Sequence, residues 1–132
     1  RVLYRKHSGG RDFLVCDAGM TELIRPSHYD AYHRIESVQP NGAVMTADVV
    51  GPICESGDFL ALGREMDDAA AGDLLAVHDV GAYGYVMASN YNTRPRGAEV
   101  LVDGDRFAIV TARERYEDLV HLEDADPDWR TA

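Results

Sequence analysis

Residues 44–58 read VMTADVVGPICESGD: an apolar run, then a glycine and a proline, then a short polar segment. The run is typical of a β-strand. Gly51 and Pro52 end it, because proline donates no hydrogen bond to a sheet and glycine tolerates dihedral angles that other residues avoid. Cys54 and Glu55 are therefore expected on a loop at a strand end, where a rigid sheet can hold side chains against a ligand. Since a lone cysteine is more often a small buried apolar residue than a reagent, this stretch alone leaves the role of Cys54 open.

Outward from this stretch, the chain alternates short apolar runs with turn signals. Further strand-like runs occupy residues 2–6, 12–17, 33–38, 59–66, 73–80, 99–102 and 106–111. Pro26 is compatible with a short helix that begins there, and residues 113–122 have helix-forming composition. Many short strands with few helices predict a mostly β domain. We expect a β-sandwich or Greek-key barrel with one or two short helices, because the apolar runs are too many for one single-faced sheet.

Length and composition exclude several classes of protein. The 132 residues fit one domain, 1–132, which is long enough to bury a core. The formal net charge of −10 repels a polyanion, so no nucleic-acid partner is expected. No apolar stretch approaches the ~18 residues of a membrane helix and no signal peptide is visible, so we expect no membrane contact and a cytoplasmic location. The five histidines lack the spacing of metal-binding motifs, so no metal is expected.

The two cysteines and the single lysine limit the chemistry of the chain. Cys16 lies in an apolar run and is expected in the core, and both Cys16 and Cys54 are expected to be reduced, because two isolated cysteines form no disulfide framework. Lys6 is the only lysine, and the chain begins at Arg1, without methionine, already close to a strand-like run. We therefore expect that a preceding domain is missing from this chain.

Five separated pieces of the sequence share their order and spacing with one enzyme family. They are LIRPSHY at residues 23–29, GPICESGD at 51–58, GAYG at 81–84, SNYN at 89–92 and RPR at 94–96. Together they resemble the C-terminal domain of the diaminopimelate decarboxylase family, which belongs to the alanine-racemase-like (fold type III) enzymes that use pyridoxal phosphate. The resemblance covers most of the chain and weakens beyond about Glu117.

The resemblance implies one part of a two-domain homodimeric enzyme that converts meso-2,6-diaminopimelate into L-lysine and CO2 in lysine biosynthesis. In this family an N-terminal (β/α)8 barrel carries the Schiff-base lysine and most of the phosphate site, and the cysteine loop reaches into the active site of the other subunit. By position, Cys54 matches the proton donor, and Arg25, Tyr29 and Glu55 match substrate-binding residues. Tyr83 matches a residue at both the cofactor and the substrate. Because the barrel and its lysine are absent here, this chain alone is expected to be inactive.

Elementary chemistry agrees with these implied roles. Decarboxylation needs an electron sink, which the cofactor provides, and then a proton for the carbon that lost CO2. An unperturbed thiol is mostly protonated at neutral pH, so a cysteine can donate that proton. The distal end of a diamino-diacid carries a carboxylate and an ammonium group. Arg25 has the fork geometry for the carboxylate, Glu55 can pair with the ammonium, and Tyr29 adds a hydroxyl.

Two alternatives remain open at this point. The first is a decarboxylase of the same fold for ornithine, arginine or another basic amino acid. Those relatives typically have an aspartate after the cysteine, whereas Glu55 follows Cys54 here, and a substrate without a distal carboxylate would leave Arg25 unpaired. The second is a free-standing β domain without catalytic activity that binds a partner.

Overall fold

The fold is mostly β, and a computed structural model describes residues 1–131. Within these residues the β-strands and α-helices are β1 (Val2–Ser8), β2 (Arg11–Cys16), α1 (Arg25–Tyr29), β3 (Ile35–Ser37), β4 (Val44–Val50), β5 (Phe59–Asp67), β6 (Leu75–Val77), β7 (Glu99–Asp103), β8 (Arg106–Thr111) and α2 (Tyr116–Val120), and single 3-10 turns occupy Tyr85–Met87 and Tyr91–Thr93. The prediction of a mostly β fold with one or two short helices is confirmed. Within the described residues the strands form three separate sheets and no closed barrel. No helix in this part of the chain is long and apolar enough to cross a membrane.

A four-stranded sheet in the order β1-β2-β4-β5 forms the centre of the fold. Its first two strands make the predicted hairpin, in which Ser8 pairs with Arg11 across a two-glycine turn. β4 and β5 are antiparallel, but β2 and β4 are parallel, with Leu14 opposite Val49. Since parallel strands run in the same direction, β2 and β4 both end at the same edge of the sheet, meaning the edge formed by strand ends and not an outermost strand.

One hydrophobic core lies against this sheet, and the two-stranded β3–β6 sheet packs against it. Ile35 of β3 is buried in the core, and Leu75 and Val77 of β6 pack against it. Cys16 is only 4% exposed, so its predicted place in the core is confirmed. The buried members of the core are Val2, Leu14, Cys16, Leu23, Ile35, Met45, Ala47, Val49, Leu60, Ala61, Met66 and Ala69.

A buried carboxylate supports an irregular pairing of β4 with β5. The register between these strands shifts after Ala47, and Gly63 has a φ angle of +54°, which suits a glycine in a bulge. Asp48 is 2% exposed; its Oδ1 accepts the Gly63 N–H at 2.6 Å and its Oδ2 accepts Arg11 at 2.9 Å. The side chain therefore satisfies a backbone donor that the bulge would otherwise leave without a partner.

The predicted strand at residues 73–80 is shorter than expected. Only Leu75–Val77 pair with β3, because polar residues bend the chain on both sides. The Asp73 carboxylate accepts the Ala70 N–H at 2.8 Å and closes a turn. Asp79 adopts a left-handed φ of 58°, which ends the extended backbone.

The β7–β8 hairpin, predicted from its Asp-Gly-Asp turn, lies outside the four-stranded sheet. Its apolar side chains are all at least half exposed: Val100, Leu101, Val102, Phe107, Ile109 and Val110. A two-stranded ribbon is marginally stable by itself, so its attachment to the rest of the domain matters. Glu114, which follows β8, provides one such attachment. Its carboxylate accepts hydrogen bonds from the Arg96 guanidinium and backbone N–H, both at 2.7 Å, and from the Asn90 amide at 2.6 Å.

We expect Glu114→Gln to destabilise the domain at neutral pH and to matter less in acid. The Arg96 side chain and backbone lower the pKa of Glu114 from its usual 4.5 to about 2. A carboxyl whose pKa is lower in the folded state stabilises that state fully above 4.5 and loses this contribution as the pH falls towards 2. Urea unfolding at about pH 7 and about pH 3.5 measures the free energy of unfolding of the variant and of the original chain. The difference between the two should therefore be smaller at the lower pH. Glu117→Gln is the matched control, since Glu117 is exposed on α2 and forms no ion pair within residues 1–131. If the loss of unfolding free energy in Glu114→Gln did not depend on pH, the ionised Glu114 carboxylate would not be the group that stabilises the fold.

Candidate active site

The parallel pairing brings two loops side by side. Residues 17–24 leave the end of β2 and lead to α1, while residues 51–58 leave the end of β4 and lead to β5. The loops approach closely: a Cβ atom added at Gly57 would lie 3.7 Å from Ser27 Cβ and 3.9 Å from Met20 Cε. The sequence motifs that contain Arg25 and Cys54 therefore lie at one edge of the sheet.

Backbone hydrogen bonds close the loop that carries Cys54. The Gly51 N–H donates to the Asp58 carbonyl at 2.9 Å, and the Asp58 N–H donates to the Glu55 carbonyl at 3.0 Å. A third bond runs from the Glu55 N–H to the Ile53 carbonyl, also 3.0 Å. Cys54 lies between these contacts and is exposed, whereas Cys16 is buried. A compact loop with a solvent-facing thiol is suited to meet a ligand that lies outside this chain.

Arg25 and Tyr83 form a second group at the same edge. α1 begins at Arg25, and the buried Pro26 occupies its first turn, where a missing N–H costs nothing. The Arg25 guanidinium lies over the Tyr83 ring, 5.2 Å from its centroid, an arrangement that holds a cation without neutralising it. No carboxylate within residues 1–131 pairs with Arg25, which is half-buried. A half-buried arginine held by an aromatic ring is therefore available to an anionic ligand.

Glu55 and Tyr29 complete the set of predicted site residues, and both are exposed. The Tyr91 hydroxyl lies 3.4 Å from Glu55 Oε2, and the Gly57 N–H lies 3.5 Å from Oε1. Both contacts are long for hydrogen bonds, so the carboxylate keeps most of its capacity for a cation. Tyr29 lies one helical turn after Arg25, and its ring contacts the His28 ring edge to face, with the centroids 4.9 Å apart.

A half-buried arginine, Arg94, attaches the loop of residues 89–96 to this edge. Arg94 donates to the Asp17 carbonyl at 2.6 Å and lies 3.5 Å from the Glu22 carboxylate. Glu22 in turn accepts the Gly19 N–H and the Thr21 hydroxyl, both at 2.8 Å. These contacts fix the segment between β2 and α1 and thereby the start of the helix that carries Arg25.

The predicted site residues form two groups rather than one. Arg25 contacts Tyr83, and Glu55 lies near Tyr91, but no hydrogen bond or ion pair in the described part of the chain joins Cys54 to Arg25, Tyr29 or Tyr83. Sequence reasoning gave no role to Tyr91 or to Asp58, although both lie inside the quoted motifs. A buried aspartate between two close-packed glycines has no distinctive sequence signal, because an aspartate before a strand usually faces solvent.

The described residues suit one side of a pyridoxal phosphate site but not its covalent attachment. Lys6 is exposed on β1, and with Phe13 and Cys54 it lines an open groove of about 570 Å³. A lysine that forms a Schiff base is normally activated by an apolar pocket or by a neighbouring cation, which an exposed strand residue lacks. The Tyr83 ring is exposed and carries the Arg25 guanidinium, so it is free to contact a group that lies outside this chain.

Comparisons with known proteins identify one family that this chain resembles. The family model described as the C-terminal sheet domain of pyridoxal-dependent decarboxylases matches residues 1–81. Diaminopimelate decarboxylase from Pseudomonas fluorescens is 54% identical over 120 residues, which are 90% of this chain and 29% of that protein. The structure of diaminopimelate decarboxylase from Helicobacter pylori complexed with L-lysine is similar, with a TM-score of 0.85 and 41% identity, over 92% of this chain and 30% of that chain.

A more distant structure shares the fold alone. A lysine/ornithine decarboxylase from Vibrio vulnificus, complexed with cadaverine, has a TM-score of 0.65 and 23% identity, over 73% of this chain and 26% of that chain. The present chain spans less than a third of the length of each of these proteins.

The two thiols should differ sharply in reactivity. Burial raises the pKa of the Cys16 thiol to about 11, so this group carries almost no thiolate at mild pH, whereas Cys54 is exposed. A chromogenic disulfide reagent should modify one thiol rapidly in the folded chain and the second only after denaturation. Cys54→Ser should abolish the rapid phase and Cys16→Ser should leave it intact. A rapid phase that survives in Cys54→Ser would show that Cys16 becomes accessible by local opening.

Proposed function

We propose that this chain, which belongs to the family of pyridoxal-dependent decarboxylase C-terminal sheet domains, forms one wall of the active site of a diaminopimelate decarboxylase. The reaction would convert meso-2,6-diaminopimelate into L-lysine and CO2. The observation that carries the proposal is that the exposed Cys54–Glu55 loop and the Arg25–Tyr83 pair lie at one edge of the central sheet. Relatives about half identical over most of this chain are named for that activity.

The rest of the enzyme would supply what this chain does not offer. We assign residues 1–132 to a C-terminal β domain and propose that an N-terminal (β/α)8 barrel, within the length that the relatives have in addition, carries the Schiff-base lysine and most of the phosphate site. Lys6 does not suit that role, because it is exposed. Since Cys54 has no contact with Arg25 in the described residues, we propose a homodimer in which the two groups belong to different active sites. We also propose a cytoplasmic location, which suits a biosynthetic enzyme.

Cys54 would return a proton to the substrate. When bound, pyridoxal phosphate supplies the electron sink that decarboxylation of an amino acid requires. The exposed Cys54 Sγ–H then donates its proton to the α-carbon in place of the lost CO2, and the resulting thiolate recovers a proton from solvent. Tyr83 would contact the cofactor from the side of this domain, while its ring holds the Arg25 guanidinium in place.

Arg25, Glu55 and Tyr29 would bind the distal end of the substrate. Arg25 has no carboxylate partner within residues 1–131, so the distal carboxylate of a diamino-diacid could form an ion pair with its guanidinium. In the proposed homodimer, the partner subunit's Glu55, which is exposed, would pair with the distal ammonium at that site, and the Tyr29 hydroxyl on the same helix as Arg25 would add a hydrogen bond. Lysine and ornithine lack the distal carboxylate, so this arrangement favours the diacid over the basic amino acids. A free-standing, non-catalytic domain would need none of these groups.

Cys54→Ala in the full-length enzyme should lower kcat for diaminopimelate by roughly 10²–10⁴-fold, the usual contribution of a general acid, with a much smaller change in KM. Ser56→Ala, an exposed change in the same loop, is the matched control and should retain activity. Release of CO2 is the measurement, and this chain assayed alone with pyridoxal phosphate should release none. Unchanged kcat in Cys54→Ala would reject the proton-donor role, and CO2 release by the chain alone would reject the two-domain proposal.

Arg25→Gln should selectively weaken the use of the diacid. Loss of a charged partner for the distal carboxylate should lower kcat/KM for diaminopimelate by about 10²-fold, since a hydrogen bond to a charged group contributes roughly 1.5–3 kcal/mol. The low activity towards lysine should change far less, because lysine presents no carboxylate there. Arg113→Gln serves as the control, as Arg113 is exposed and has no ion pair within residues 1–131. An equal loss for both substrates would mean that Arg25 acts on the fold and not on specificity.

A further inference from the structure

Asp58 is a buried carboxylate that the proposed chemistry does not use. It is the last residue before β5 and is only 5% exposed. No arginine, lysine or histidine within residues 1–131 forms an ion pair with it. Burying an ionised carboxylate is costly unless hydrogen bonds compensate it, so its contacts indicate what it does in the fold.

Both oxygens of Asp58 accept backbone hydrogen bonds, one from each of the two loops at the sheet edge. Oδ2 accepts the Ile53 N–H at 2.7 Å, within the loop that carries Cys54. Oδ1 accepts the Met20 N–H at 2.8 Å, in the segment that leads from β2 to α1. Charge-assisted bonds of this length are stronger than neutral ones. Ile53 directly precedes Cys54, and Met20 lies five positions before Arg25 in the chain.

Two glycines leave room for this carboxylate. A Cβ atom added at Gly19 would lie 2.1 Å from Asp58 Oδ1, and one added at Gly51 would lie 2.2 Å from the same oxygen. Neither glycine has a positive φ angle, so the requirement for glycine at these positions is steric. The added Gly19 Cβ would also lie 2.7 Å from Gly51 Cα, which shows how closely the two loops approach each other around the carboxylate.

We propose that Asp58 is a positioning residue that joins the Cys54 loop to the segment preceding α1. Its carboxylate sets where the loop holding Cys54 and Glu55 lies relative to the helix that begins at Arg25. The base of the loop is closed separately by the Gly51–Asp58 backbone bond, so losing the carboxylate should loosen the segment of Ile53 and Cys54 without opening the loop. This inference rests on the proposed function for the roles of Cys54 and Arg25, but the junction itself can be measured without any assay of decarboxylation.

Asp58→Asn tests the junction with little change in volume. An amide keeps one acceptor oxygen and places an NH2 group against the other backbone donor, so only one of the two hydrogen bonds can survive. Asp48→Asn is the matched control, because Asp48 is equally buried and accepts the Gly63 N–H at 2.6 Å but contacts neither loop. Amide hydrogen exchange and the alkylation rate of Cys54 are measured in both variants of this chain.

We expect amide exchange at Met20, at Ile53 or at both to accelerate at least tenfold in Asp58→Asn, because at least one of the two N–H groups loses its acceptor. The alkylation rate at Cys54 should change as well, while Asp48→Asn should leave all three sites unchanged. In the full-length enzyme, Asp58→Asn should both lower kcat and raise KM for diaminopimelate by about 10-fold each, whereas Asp48→Asn should alter neither at equal folded fraction. Unchanged exchange at Met20 and Ile53 would overturn the inference whatever the enzyme does. If amide exchange changed in Asp58→Asn but the Cys54→Ala enzyme were fully active, the proposed function would be rejected. The role of Asp58 in joining the two loops would still be supported.

A second variant covers the case in which Asp58→Asn does not fold. Replacing Ile53 by its α-hydroxy acid turns one backbone amide into an ester and removes the N–H that donates to Asp58 Oδ2; the Pro52 carbonyl, which becomes a weaker acceptor, accepts no backbone hydrogen bond within residues 1–131. The side chain and the carboxylate stay in place, so folding should persist. Faster exchange at Met20 and a changed alkylation rate at Cys54 would support the junction, and wild-type behaviour at both would overturn it.

Discussion

The parallel pairing of β2 with β4 is the constraint on which the rest of the site depends. Leu14 lies opposite Val49, so the two strands run in the same direction and end together. An antiparallel pair would send the segment before α1 and the Cys54 loop to opposite edges of the sheet. Because the pair is parallel, the two motifs that carry the candidate chemistry leave the sheet side by side. β1 flanks this pair on one side and β5 on the other, so neither β2 nor β4 is an outermost strand of the sheet.

Polar contacts hold the two loops in their close approach. Asp58 accepts a backbone N–H from each loop, and Arg94 holds the segment after β2 through the Asp17 carbonyl and the Glu22 carboxylate. Loops at a sheet edge contain many backbone donors and acceptors, and buried ones must be satisfied. When a side chain held in one position bonds to these backbone groups, it fixes the conformation of the loop. A site formed on loops needs such fixed conformations.

Arg25 and Tyr83 show how an acidic chain can present a binding site for an anion. The chain carries a net charge of −10, and most of its arginines are paired with carboxylates, as Arg96 is with Glu114. Arg25 differs from Arg96 because no carboxylate within residues 1–131 pairs with it; its guanidinium lies over the Tyr83 ring, which attracts the cation without supplying a counter-charge. The β7–β8 hairpin, by contrast, exposes apolar side chains along both strands. Its polar attachment to the rest of the domain is the contact of Glu114 with Arg96.

Local patterns in the sequence determined the elements of this protein, and only the tertiary structure decided how they meet. The turn residues predicted both hairpins, Gly51 and Pro52 predicted the end of β4, and Pro26 predicted the short α1, because these residues restrict the backbone locally. The resemblance of five short pieces of the sequence indicated the family and the candidate residues. Other features are different in kind: the parallel register of β2 and β4, the position of Lys6 along the same groove as Cys54, and the contacts of Asp58 and Tyr91. They depend on residues far apart in the chain, and a single sequence does not record which distant backbone groups a buried carboxylate will satisfy.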